Sequence, residues 1–143
     1  MMVSACGEKG SNGQKAVVSK GKTTSNTTIK WWMRKLKNLS EKCKISLADV
    51  IALTDAEKTI EKCHIEFQTK EQELCGRSLE EAIRNVNRTH FGLSAKPLEE
   101  ELEFKEKSKT DFALNLICDN PDYTIPQYIK NGLVWLNDQK VLV

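Results

Sequence analysis

No stretch of this chain is apolar for the roughly 18 residues that a membrane-spanning helix needs, and its N-terminus lacks the apolar core of a secretory signal. Both absences argue against a membrane partner and lead to the expectation of a cytoplasmic protein. Cysteine is present but badly arranged for metal: positions 6, 43, 63, 75 and 118 are an odd, scattered set with no Cys-x-x-Cys pair, and only two histidines could supplement them. That spacing speaks against a zinc site and for reduced thiols packed as small hydrophobes. Internal repeats are missing, and so is any low-complexity tract beyond the first dozen residues.

What remains is a chain of 143 residues, 39% hydrophobic and 29% charged, enough for one modest core in one domain. The net charge of +2 conceals a division. Residues 1–44 hold ten Lys or Arg against Glu8 and Glu41, whereas residues 45–143 hold twelve against eighteen acids. The front end is therefore suited to phosphates, although such a surplus is equally at home on a solvated face.

Residues 1–14, small and polar, read as a loop or disordered N-terminus, and 15–143 as the domain. KAVVSK (15–20) reads as a brief strand. Ser25 or Asn26 can cap a helix whose apolar stripe is Ile29, Trp32, Met33, Leu36 and Leu39. Lys30, Arg34 and Lys37 form a separate basic line on it, the candidate nucleic-acid-binding residues together with Arg77, and Trp31 lies off the stripe. SLADVIAL (46–53) reads as a short helix capped by Ser46. CHIEFQ (63–68) alternates as a half-buried strand, with Cys63, Ile65 and Phe67 inward and His64 toward solvent or a sheet edge.

Ser78 can cap a helix to Asn87, with Glu81 completing a capping box. A turn is expected at Gly92, and Pro97 can open an acidic helix through EEELEFKEK. DFALNLIC continues helical, pairing Phe112 with Leu116 and Ala113 with Ile117. After the break at DNPD (119–122), Pro126 starts a last helix with Tyr128, Ile129, Leu133 and Leu136 inward. Strands alternating with helices favour the α/β class, here mostly helical with a small, incomplete sheet.

A strand, a short loop and a helix N-terminus place Glu80 and Glu81 of CGRSLEEAI beyond a sheet end, where α/β folds collect ligands. Consecutive residues diverge by about 100° around a helix, so one carboxylate can face the sheet edge while its neighbour caps or meets water. On its own this motif reads first as capping plus solvated charge, and Lys109 as a solvated lysine at a helix start.

CGRSLEEAI, then KSKTDFAL, then IPQYIKNGLVWL resembles, in order and spacing, the C-terminal part of the Toprim nuclease domain in the OLD family (overcoming lysogenization defect) of ATP-dependent endonucleases. TTSNTTIKWW and CHIEFQT are similar to the segments that precede these motifs, so the resemblance spans most of residues 15–138. It implies a partial Toprim-like domain and metal-dependent cleavage of DNA, with magnesium or manganese as cofactor and ATP acting only through a separate ATPase domain. By motif, Glu80 becomes a metal ligand with Glu81 as second choice, and Lys109 the catalytic lysine. The family's early metal-binding glutamate is expected upstream of KAVVSK. Neither its Asp-x-Asp pair nor a Gly-x-x-x-x-Gly-Lys-Ser/Thr loop occurs in these residues.

The expectation is a truncated fragment, inactive alone, with DNA as partner and the missing ATPase and N-terminal Toprim portion as a further partner chain. The alternative is a small non-catalytic DNA-binding or protein-interaction module using the basic front end.

Overall fold

The computed structural model describes residues 4–6, 15–105, 108–119 and 122–139. Its first ordered pairing joins β1 (Ala5–Cys6) to β2 (Thr23–Thr24), antiparallel, with Ala5 opposite Thr24. Ala5 and Cys6 of the N-terminal segment are thus in a strand rather than a loop; residues 1–3 and 7–14 lie outside the described residues. KAVVSK is no strand either. Val18–Lys20 forms a 3-10 turn, because Val18 drops into the core while Ser19 and Lys20 reach out to Glu99 and Glu100.

Helix α1 (Thr27–Lys37) starts where Asn26, not Ser25, accepts a hydrogen bond from the Ile29 amide at 3.0 Å. It ends at Asn38, which takes the left-handed conformation (φ 48°) that a short polar side chain tolerates. Ile29, Trp32 and Met33 are buried, and Leu36 packs against them. Leu39 falls past the helix end and is exposed. Helix α2 (Leu47–Ile51) follows Ser46, whose side chain makes no cap; Ser46 instead bridges to Thr23. Leu47 and Val50 close the core from this side.

β3 (Thr59–Ile60) and β4 (Cys63–His64) make a second antiparallel hairpin. CHIEFQ is therefore a strand only in its first two residues. Ile65 and Phe67 are buried as the alternation requires, but Cys63 is exposed and Gln68 buried. His64 does not face solvent: its side chain is 9% exposed, and its ring stacks on Trp135 at 4.8 Å. The main core gathers Val18, Ile29, Trp32, Met33, Ile45, Leu47, Val50, Ile65 and Phe67.

Helix α3 (Leu79–Val86) has the predicted cap, Ser78, and the chain turns at Gly92 with φ 65°. Pro97 opens no long helix. Only Glu99–Leu102 coil, as a 3-10 turn, with Leu102 fully buried, and its carboxylates bind back to residues 15–20. Helix α4 (Lys109–Asp119) is capped by Ser108, which accepts from the Asp111 amide at 3.1 Å. Phe112 is its buried residue among those described, packed against Phe91 and Phe104 at 5.7 and 5.0 Å, while Ala113 and Ile117 are exposed. Helix α5 (Gln127–Gln139) follows buried Pro126; Tyr128 is buried, but Leu133 and Leu136 are more than half exposed, so its predicted inward face is only partly covered.

The fold is thus mixed α/β, with five α-helices and two small antiparallel ladders among the described residues. No described helix is long and apolar enough to cross a membrane.

Candidate functional site

The corner where α3 meets the start of α4 is built by CGRSLEEA. A side chain at Gly76 would press on the backbone of α3, its Cβ lying 2.4 Å from the Ala82 nitrogen and 2.6 Å from the Glu81 carbonyl carbon. Glycine is required there by close approach, not by an unusual φ. The next residues start the helix. Ser78 Oγ accepts from the Glu81 amide at 3.3 Å, and the Glu81 carboxylate accepts from the Arg77 amide at 2.8 Å. The capping box therefore closes one residue earlier than its usual form, on Arg77 instead of Ser78. The Arg77 guanidinium also reaches Glu81, at 3.4 Å.

Glu80 turns elsewhere. Its Oε1 lies 2.9 Å from the Lys109 ammonium, an ion pair that joins α3 to the first residue of α4. Because an ammonium at a helix N-terminus meets the positive end of the macrodipole, Glu80 offsets an otherwise unfavourable placement. The pair is asymmetric: the Glu80 side chain is 9% exposed and that of Lys109 67%. Glu80 Oε2 is buried and has no hydrogen-bond partner among the described residues. A buried carboxylate oxygen without a partner is costly to fold around, which makes this atom the most ligand-ready in the corner.

The adjacent carboxylates respond to these surroundings in opposite senses. Burial works to raise the Glu80 carboxyl, but hydrogen bonds from Lys109, Ser78 and its own amide prevail and hold it below the usual carboxylate range. Burial raises Glu81, and Arg77 offsets that only in part. Tyr128, buried at the start of α5, is pushed up to about 12 by burial and then by the negative charges of Glu80 and Glu71. Glu71 accepts from the Gln127 amide at 2.9 Å, capping α5.

The structure thus brings Glu80 and Lys109 together and separates Glu81 from them. Glu81 and Arg77 border a different depression, with Lys15, Lys20 and the acids 99, 100 and 103. Arg77 is consequently apart from the basic line on α1. Of that line, Lys37 is exposed, Lys30 is half-buried, and Arg34 bends to the Cys43 carbonyl at 3.4 Å. Tyr128, which the Glu80 and Glu71 charges both reach, was read only as part of an apolar helix face, and Glu71 lies in an uninformative acidic and polar stretch.

Magnesium requires several prearranged oxygens. Glu80 offers one free oxygen, Glu81 is engaged by Arg77, and among the described residues no three His, Cys, Asp or Glu side chains gather as a metal site. These residues alone therefore do not fit a metal pair, and what they do provide is a buried carboxylate held beside a solvent-facing ammonium. No protein-family model, no curated protein and no solved structure matches the chain.

Proposed function

We propose that these residues are the later part of an OLD-type Toprim nuclease domain, in which Lys109 meets the scissile phosphate and Glu80 positions it. The observation that carries this reading is the 2.9 Å pair between two residues 29 apart in sequence, one buried and one open to solvent. A flexible ammonium with three donors suits the charge that gathers on a phosphate during cleavage. Its anchor on Glu80 limits the volume the ammonium explores, so it is presented rather than dispersed. Glu80 would supply one oxygen to a metal only where further acids come from other chain, and cleavage by these residues alone is not expected. ATP would act through a separate ATPase domain.

A chimera tests this: the corresponding part of an active OLD-type nuclease is replaced by these residues, and cutting of supercoiled plasmid is followed with magnesium or manganese. The expected result is cutting by the chimera, lowered about a hundredfold by Lys109→Met, and none by the chain alone. A folded chimera that cuts equally well after Lys109→Met and Glu80→Gln would overturn the reading. Robust cutting by the chain alone, lost in Glu80→Ala, would overturn its dependence on other chain.

A further inference from the structure

All three tryptophans of the chain border one groove of about 590 Å³ between α1, the β3–β4 hairpin and α5. That volume lies within the roughly 300–1,000 Å³ usual for ligand sites. Trp32 forms part of its floor: its ring is buried and its indole N–H donates to the Glu57 carbonyl at 3.0 Å. Trp31, one residue on and so turned about 100° around the helix, stands on one wall and is 53% exposed. Trp135 stands on the α5 wall, held nearly parallel to His64 with 12° between the rings. His64 is fixed in turn by Thr59 at 2.9 Å and Glu66 at 3.3 Å. Trp32 and the Trp135–His64 stack are therefore preorganised, and Trp31 stands beside them.

Among the described residues no Lys or Arg lines the groove itself, and its positive charge stands beside it on α1. Thr27–Lys37 contains Lys30, Arg34, Lys35 and Lys37 and no acid, and residues 15–44 hold nine Lys or Arg against Glu41 alone. Lys35, one helical turn after Trp31, already lies over its ring, 5.4 Å from the centroid. Its partner Glu61 is exposed and 3.6 Å away, an arrangement that competes weakly with other anions. The carboxylate that lines the groove, Glu66, is paired to Lys58 at 3.4 Å and to His64.

Flat aromatic faces beside a helix with only positive charges complement a polyanion whose bases are unstacked. A duplex hides those faces, whereas a single strand offers them beside its phosphates. We propose that this groove binds single-stranded nucleic acid, a base stacking on Trp31 and an adjoining phosphate meeting Lys35 one helical turn away. The proposal goes beyond the cleavage reading: neither Glu80 nor Lys109 lines the groove, and binding is measured without any cutting.

The intact chain is titrated with short oligothymidylate, oligouridylate and a duplex of equal length, following tryptophan emission and the anisotropy of labelled strands. Single strands are expected to quench emission and to bind about tenfold more tightly than duplex, with affinity falling as salt rises. Trp31→Ala should weaken binding about tenfold at unchanged circular dichroism and Tm, Trp31→Phe should restore most of it, and Lys35→Gln should reduce the salt slope by about one. A preference for thymidylate or for uridylate supports the proposal and names the sugar. Duplex bound as tightly as single strand, with Trp31→Ala silent, would reduce the contact to phosphates and overturn it. Absence of oligonucleotide binding, with self-association lost on Leu133→Lys, would overturn it in favour of a protein interface.

Discussion

Two adjacent glutamates at the start of α3 lead to opposite pH dependences. From an ordinary value of 4.5, the folded state lowers Glu80. On acidification the unfolded chain takes up that proton first, so the stability Glu80 contributes is present above 4.5 and is lost as pH falls through its folded value. Glu81 is raised from the same 4.5; the folded state holds its proton longer, and stability declines as pH rises from 4.5 through the folded value. Urea melts across the acid range should show Glu80→Gln flattening the low-pH loss and Glu81→Gln flattening the decline above it. Carboxyl NMR titrations should place Glu80 below Glu81. Gly76 gives a sharper prediction: Gly76→Ala pushes a methyl into the backbone of α3, with no flexible side chain to yield, and should cost about 1–3 kcal/mol in a denaturant melt. The motif itself announced the cap and the divergent carboxylates. That glycine's role was not readable there, because close approach is a property of two segments.

At the scale of elements, α1 and α3 were legible because cap and apolar period agree, in Asn26 with Ile29–Trp32–Met33 and in Ser78 with Glu81. Asn26→Ala should cost α1 about 1 kcal/mol, seen as a lower Tm. Of the strands, only the start of CHIEFQ was legible. A β-branched run such as KAVVSK suits any half-buried extended surface, and here the acids at 99 and 100 draw Ser19 and Lys20 outward and curl the segment. The buried residue of α4 among those described is Phe112. Phe112→Ala should remove the contacts with Phe91 and Phe104, cost about 3–5 kcal/mol if α4 unfolds with the rest, and otherwise free α4 alone. Hydrogen exchange separates these outcomes, and in the second the Lys109–Glu80 pair should be lost with it.

Over the whole molecule, the charge division seen along the chain becomes a contact. Lys15 meets Glu103 and Lys20 meets Glu100, each at 2.5 Å, so part of the basic front end is met by the chain's own acids. All four side chains are more than two-fifths exposed, so water and salt screen these pairs and they add little to stability. Raising salt should therefore move Tm little, while weakening any nucleic-acid binding through α1 steeply; comparing both salt series on one sample checks this.

The order of residues by itself determined where α1, α3 and α5 begin and that Glu80 and Glu81 point apart, because caps and helical period act within a few residues. Only the tertiary structure decided that Glu80 takes Lys109, that His64 is covered by Trp135, and that the tryptophans share a groove. Those outcomes depend on segments tens of residues apart competing for the same core, which no local spacing encodes.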